Sequence, residues 1–223
     1  MNKYPIATDI YDRSVLLPLL GLLLVFDALG ANRPAPWTIL LDSKSGTINA
    51  NTTRRDLVLK FGIANVVDQD VDVGEGDTEP GTVVFPKDPK RQIEILWKNN
   101  EAKTEPKSAI VSRDASLWKA AHDISVGTSL KDLERINGRP FHLLGFQWDY
   151  SGTVMSWNGG VLEIDLHDAN SKSRVILRLD PPANLEVPES DLSQVGGDQD
   201  FSSQNPIMQK INPRVYEIVW IFR

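Results

Sequence analysis

Hydrophobic and polar positions along the chain follow two different periods, which predict a mixture of short helices and strands. Apolar residues recur at helical spacing after Thr53 and again after Ser129. Strict alternation of apolar and polar residues begins at Phe146, and a nearly continuous apolar run occupies residues 215–222. Because the helical and the strand-like stretches are separate, the pattern predicts an α+β fold with antiparallel sheets.

Both predicted helices carry signals for their two ends. Thr53 and Ser129 each stand three positions before an aspartate, which is the spacing of a capping box. Gly62 and Gly138 suit the left-handed residue that closes a helix. Each signal therefore predicts a helix of about two turns.

The two helix signals belong to a repeated pattern. The segment Ile48-x3-Thr52-x3-Asp56-Leu57-x4-Gly62 recurs as Ile124-x3-Thr128-x3-Asp132-Leu133-x4-Gly138. A constant step of 76 positions separates all members, which is typical of two copies of one supersecondary unit. We therefore predict two tandem units, 37–115 and 116–223, each a short helix packed on an antiparallel sheet.

The strand pattern is clearest in the second unit. Alternation predicts a hairpin over 146–157, and Leu162 to Leu166 is expected to continue it as a meander. Shorter strands are predicted at 83–85, 93–97, 109–111, 174–179 and 215–222. The segment 180–213 is rich in Pro, Gly, Ser and Asp, and we expect a long surface loop there.

The second copy of the repeat resembles a known kind of domain. The segment Ile124-Ser-Val-Gly-Thr-Ser-Leu-Lys-Asp-Leu-Glu-Arg-Ile-Asn-Gly-Arg-Pro140 is similar to the helix–strand unit of beta-lactamase-inhibitor-protein-like and small outer-membrane-lipoprotein-like domains. The resemblance implies tandem helix–sheet units in a secreted or envelope protein that binds other proteins and is not an enzyme. Inhibitor members of that family carry disulfides, which this chain cannot form because it has no cysteine.

Residues 1–30 contain one apolar run, from Val15 to Phe26. As a helix it would extend ~18 Å, short of the ~30 Å hydrocarbon core of a bilayer, so we expect no stable membrane span. Its length and the small residues after it suit a secretory signal, and 31–36 suits a linker. We therefore expect an exported protein, periplasmic or secreted. A cytoplasmic protein that buries this run is the alternative, since the usual positive charge before a signal is missing.

The charge and the cysteine content exclude several classes of function. A net charge of −6 leaves no basic face, so we expect no nucleic-acid partner. The absence of cysteine rules out disulfides, thiolate catalysis and cysteine-bound metals. The partner that the sequence allows most readily is another protein.

One acidic segment has the spacing of a calcium-binding loop. Asp68, Asp70, Asp72 and Glu79 occupy positions 1, 3, 5 and 12, which are ligand positions of an EF-hand loop. Position 6, where the EF-hand turns on a glycine, is Val73. Calcium is therefore a candidate cofactor, with a solvated acidic loop as the alternative.

Side chains for nucleophilic catalysis are not arranged in any familiar motif. His122, His142 and His167 lack the neighbours of a catalytic triad, and neither G-x-S-x-G nor H-E-x-x-H occurs. An enzyme would therefore rely on carboxylates such as Asp149 or Asp165, in a cleft between the two units. A hydrolase of this kind is the alternative function.

Four aromatic residues of the second unit form the remaining candidate site: Phe146, Trp148, Tyr150 and Trp157. On one face of a hairpin they would form a protein-binding surface, because aromatic anchors dominate such surfaces. The alternative is that they face the core of their own sheet. The first hypothesis is thus a non-enzymatic exported protein with a protein-binding or envelope-structural role. A calcium-stabilised structural domain is a further alternative.

Overall fold

A computed structural model describes residues 37–39, 41 and 47–223 of the chain. The signal and linker predictions for 1–30 and 31–36 lie outside the described residues. Contacts group the described residues into one unit. Within this part of the chain, no helix is long and apolar enough to cross a membrane.

The described residues form nine strands in two antiparallel sheets. The strands are β1 (Val66–Gly74), β2 (Asp77–Val84), β3 (Ile93–Asn99), β4 (Thr104–Val111), β5 (His142–Leu144), β6 (Val154–Ser156), β7 (Arg174–Asp180), β8 (Asp200–Ser202) and β9 (Arg214–Ile221). The larger sheet has the order β1-β2-β3-β4-β9-β7, and the smaller has the order β6-β5-β8. The predicted α+β class with antiparallel sheets is confirmed.

Five α-helices accompany these sheets in the described part of the chain. They are α1 (Arg54–Phe61), α2 (Leu130–Asn137), α3 (Val161–Asp165), α4 (Glu189–Leu192) and α5 (Pro206–Ile211). The capping box predicted for α1 is confirmed, because the amide of Asp56 donates to Thr53 Oγ1 and the amide of Thr53 donates to the Asp56 carboxylate. Ser129 accepts the equivalent bond at α2, which Gly138 closes in the left-handed conformation.

The larger sheet contains strands from both ranges that were expected as separate units. Strands β1 to β4 lie in 37–115, whereas β7 and β9 lie in 116–223. Strand β4 pairs with β9 from Ser108↔Ile221 to Val111↔Ile218. The two ranges therefore share one sheet, whereas the expectation was a separate sheet for each. The reason is that the apolar strand β9 needs a neighbouring strand on each side.

The stretch after Phe146 differs from the predicted meander. The chain turns at Gln147, which has a φ of 66°, so the alternating residues do not continue as a strand. Residues 162–166 belong mostly to α3 and not to a strand. The Asn137 side chain explains this, since its Oδ1 accepts from the amide of Leu162 at 3.1 Å and satisfies a donor at the start of α3.

The segment 180–213 is more ordered than the expected surface loop. It contains α4, β8 and α5, and β8 pairs with β5. Asn205 caps α5 by accepting from the amide of Ile207 at 2.8 Å, and Pro206 follows at the first helical position. Met208 and Ile211 then bury their side chains in the core, which anchors the segment.

The main hydrophobic core packs against one face of the larger sheet. Val84, Ile95 and Trp220 point to this face and are fully buried. The residues next to them in each strand point to the opposite face. There a smaller apolar cluster is formed by Val71, Val83, Leu96 and Ile110. One face of the larger sheet therefore covers the main core, and the opposite face carries the smaller apolar cluster.

The tight packing at Gly152 gives a test of the fold. A Cβ atom at this position would lie 1.7 Å from the carbonyl oxygen of Leu179, and the φ of 62° also disfavours a side chain. We expect Gly152→Ala to lower the free energy of unfolding by about 3 kcal/mol in urea titrations. Gly159→Ala is the matched control, since Gly159 has a φ of 66° but its Cβ atom would meet only Arg139 Nη1, at an ordinary contact distance of 3.6 Å, and the variant should lose only about 1 kcal/mol. Equal losses of stability in the two variants would contradict the close approach of Gly152 to the carbonyl oxygen of Leu179.

Candidate functional site

A charged cleft lies on the face of the larger sheet that points away from the main core. Its volume is about 490 Å³. The floor is apolar and consists of Leu96, Ile110 and Val219. Six charged side chains line the cleft: Asp72, Glu79, Glu94, Lys107, Arg178 and Glu217. We call this feature the charged cleft.

Strand alternation positions the charged residues. On β9, Glu217 and Val219 line the charged cleft, whereas Ile218 and Trp220 between and beside them are buried in the core. On β3, Glu94 lines the charged cleft, whereas Ile93 and Ile95 on either side of it are buried in the core. The charged cleft is thus made from strands whose other face is fixed by core packing, which holds its side chains on rigid elements.

Two ion pairs cross the charged cleft. Arg178 Nη1 lies 2.9 Å from Glu217 Oε1, and their side chains are 27% and 17% exposed. Lys107 Nζ lies 2.9 Å from Glu79 Oε2, with both side chains about half exposed. Because solvent screens the second pair, it contributes little to stability, whereas the first pair is held in a drier setting.

The electrostatic environment of Glu217 is unusual for a carboxyl group. Burial raises the pKa of Glu217, and the Arg178 guanidinium opposes this effect. The negative charges of Glu94 and Asp72 add to the rise in pKa, which shows that the three carboxyl groups repel one another. The charged cleft therefore favours a ligand that brings positive charge.

Asp72 and Glu94 account for this surplus of negative charge. Neither forms an ion pair with another described residue: Asp72 Oδ1 accepts from the amide of Gly74 at 2.8 Å, and Glu94 Oε1 accepts from Gln92 Nε2 at 3.0 Å. Since the other two acids of the charged cleft are matched by Arg178 and Lys107, two carboxylates remain without a cation.

A second, smaller hollow adjoins Arg178. Asp149, Tyr150 and Glu75 border it, and the Tyr150 hydroxyl lies 3.3 Å from Glu75 Oε1. The Tyr150 ring centre lies 6.0 Å from the guanidinium carbon of Arg178. The tip of the β1–β2 hairpin thus reaches the loop that carries Tyr150, close to the charged cleft.

The structure separates the four aromatic residues of the predicted binding surface. Phe146 and Trp157 are 1% and 4% exposed and belong to the core. Trp148 is half-buried, Tyr150 is exposed, and their rings contact each other with centres 5.4 Å apart. The expectation of one exposed surface is therefore corrected for Phe146 and Trp157, because the turn at Gln147 ends the strand that would have aligned all four. A binding role for the other two stays a prediction.

The predicted calcium loop forms the β1–β2 hairpin. Glu79 stands opposite Val71 in the hairpin, so its side chain shares the face of Val71. Asp72 lines the charged cleft together with Glu79, whereas Asp68 binds Arg54 and Asp70 does not line the charged cleft. The four carboxylates thus do not converge, and the described residues contain no group of three or more His, Cys, Asp or Glu side chains placed to hold a metal ion. Calcium binding stays a prediction.

Each histidine contacts an acid on its own part of the surface. His122 Nε2 lies 2.5 Å from Asp165 Oδ2, and His142 Nδ1 lies 3.1 Å from Asp200 Oδ2. His167 Nδ1 lies 3.6 Å from Glu163 Oε1.

The hydrolase alternative named Asp149 and Asp165. Asp149 borders the hollow near Arg178, whereas Asp165 ends α3 and contacts His122. Neither lines the charged cleft.

Sequence reasoning singles out Asp72 and Glu79 as calcium candidates, but it misses the other charged residues of the charged cleft, which are Glu94, Lys107, Arg178 and Glu217. The available signal was a lone charge inside an apolar strand: Glu217 within Val215–Phe222 and Glu94 within Ile93–Trp97. Arg178 and Lys107 carried no such signal, because their roles depend on which strands become neighbours.

The raised pKa of Glu217 predicts how the protein responds to pH. The folded state holds this proton more tightly than the unfolded chain does, so ionised Glu217 destabilises the fold as the pH rises above the unfolded pKa. We expect the free energy of unfolding of Glu217→Gln, relative to wild type, to increase in urea titrations as the pH rises above about 4.5, the ordinary pKa of a glutamate.

Asp56→Asn is the control, because its effect on the free energy of unfolding should change with pH in the opposite direction. The hydrogen bond from the Thr53 side chain lowers the pKa of Asp56, so the stability that Asp56 contributes is present near neutral pH and is lost in acid. A difference between Glu217→Gln and wild type that does not change with pH would contradict the role of burial at Glu217.

The chain matches no known protein family, no curated protein and no solved structure.

Proposed function

We propose that this chain is a non-enzymatic exported protein that binds another protein through the charged cleft. The observation that carries the proposal is the combination of an apolar floor with two unmatched carboxylates, Asp72 and Glu94. A partner's lysine or arginine side chain fits this combination, because it has an aliphatic stem and a cationic head. Binding would relieve the repulsion among the acids of the charged cleft.

The chemistry of the lining also favours binding over nucleophilic catalysis. Ser112 supplies the one hydroxyl group among the lining residues, and no histidine lies beside it there. A serine needs an adjacent base to act as a nucleophile. The described lining therefore offers contacts for recognition and no activated nucleophile of the serine type.

Export of the protein is supported by the sequence. The apolar run before residue 30 has the length of a secretory signal, and the α2 segment resembles domains of secreted and envelope proteins. A periplasmic or secreted location would place the charged cleft among envelope or extracellular partners.

Affinity capture from the native source tests the proposal. We expect a protein that is retained by the wild-type chain to be recovered at least about tenfold less with Glu94→Lys, because the substitution reverses a charge of the charged cleft. Glu186→Lys is the matched control, since it makes the same change of charge on an exposed loop residue after β7.

Equal recovery of the partner with wild type and Glu94→Lys would contradict binding through the charged cleft. Mass spectrometry of the same preparation tests export separately. An amino terminus at Ala31 is the expected result, and an intact Met1 would contradict cleavage of a signal.

A carboxylate-dependent hydrolase is the second candidate. The specific observation in its favour is that Glu217, with its raised pKa, lies near Glu94 and Asp72, because a general acid beside a second carboxyl group suits hydrolysis. Hydrolysis of a glycoside or ester by the wild-type protein, lost by at least about a hundredfold in Glu217→Gln, would support this candidate. Activity that Glu217→Gln retains would contradict it.

A further inference from the structure

The outer edge of β1 is open in the described part of the structure. Strand β1 lies at the end of the larger sheet and pairs with β2 on one side. Residues 68–70 and 72–74 are exposed. An open edge of this length presents backbone donors and acceptors to another chain.

The hydrogen-bonding phase of the hairpin shows which residues face outward. The amide of Phe85 donates to the carbonyl of Asn65 at 2.7 Å, which fixes these two as a hydrogen-bonded pair. Hydrogen-bonded and non-hydrogen-bonded pairs alternate along an antiparallel ladder. Asp70 stands opposite Pro80, which has no amide hydrogen, and this agrees with a non-hydrogen-bonded pair.

It follows that the even-numbered residues of β1 turn their backbone groups outward. Asp68, Asp70 and Asp72 therefore each direct an amide and a carbonyl to the open edge, and their carboxylates project from the strand beside these backbone groups. We call these groups the acidic edge. In the opposite hydrogen-bonding phase, the backbone groups of these acidic residues would bond to β2 and would not be free for a partner.

A basic side chain of the protein itself already occupies one end of the acidic edge. Arg54 Nη2 donates to the outward carbonyl of Val66 at 3.3 Å, and Arg54 Nε donates to the Asp68 carboxylate at 2.8 Å. One guanidinium thus binds both a backbone acceptor and a carboxylate. Outward carbonyls and carboxylates of the same kind continue along the acidic edge beyond Arg54.

The rest of the acidic edge has no such cation. Asp70 forms no hydrogen bond or ion pair with any described residue, and Asp72 accepts only from the amide of Gly74. We propose that an extended basic segment of a partner protein adds to β1 as an antiparallel strand, with lysine or arginine at alternate positions opposite Asp70 and Asp72. Backbone bonds would supply the affinity, and the alternating charges would set the register.

The acidic edge shares Asp72 with the charged cleft, but Asp70 is not among the residues that line the cleft, so a change at Asp70 tests the edge separately. Acidic residues on an edge strand also prevent identical chains from pairing with one another. Both roles follow from the same charges, since an edge that repels a second acidic copy attracts a basic strand. Only the role in binding predicts affinity for a basic segment.

A peptide of alternating lysine and threonine, as long as β1 and carrying a fluorescent label, tests the proposal by anisotropy with the full chain. We expect Asp70→Lys to weaken binding at least about tenfold. Glu186→Lys and Asp114→Lys are the controls, because they make the same change of charge at exposed loop residues outside both the acidic edge and the charged cleft. Each should change the affinity by less than about twofold. No binding, or the same loss in all three variants, would overturn the proposal.

Two modified peptides distinguish strand addition from general electrostatic attraction. In the proposed register the lysine residues form the hydrogen-bonded pairs with Asp70 and Asp72, so their amides face β1. Methylation of the lysine backbone nitrogens should abolish binding, whereas methylation of the threonine nitrogens should leave it unchanged. Equal affinities of the two methylated peptides would overturn the proposal.

Discussion

The pairing of β9 on both of its sides is the constraint on which the rest of the structure depends. Strand β9 joins β4 to β7 and so unites strands from distant parts of the chain into one sheet. Its side chains also form a wall of the core, where Trp220 is fully buried and donates to the carbonyl of Ile39 at 3.3 Å. Without β9, the four strands from β1 to β4 would lose their link to β7, and the core would be open to water.

The same strand connects stability to the proposed function. Ile218 and Trp220 face the core, while Glu217 and Val219 face the charged cleft. Burying an ionisable group such as Glu217 is unfavourable in itself, and a fold accepts it where neighbouring apolar residues supply the stability. Rigid support from the core then keeps the carboxylates of the charged cleft close to one another, which a loop would not do.

The sequence predicted those features that depend on neighbouring residues. The caps at Thr53 and Ser129 and the apolar strand at 215–222 are local, and the structure has them as expected. The predicted meander after Phe146 is wrong for two reasons. The turn at Gln147 ends the alternating segment, and the hydrogen bond from the Leu162 amide to Asn137 Oδ1 stabilises the start of α3 in place of a strand. The charged cleft was not predictable, since it requires the order and register of strands that are far apart in the chain.

Pro80 has a consequence for how the first hairpin finds its alignment. In the observed register its ring nitrogen points away from β1, where no donor is needed. A slip by one residue that turned β2 over would point that nitrogen at β1 and remove a hydrogen bond, whereas a slip that turned β1 over would expose Val71. Pro80 and Val71 together thus favour the observed alignment of the hairpin, because either slipped alignment loses a backbone hydrogen bond or the burial of an apolar side chain.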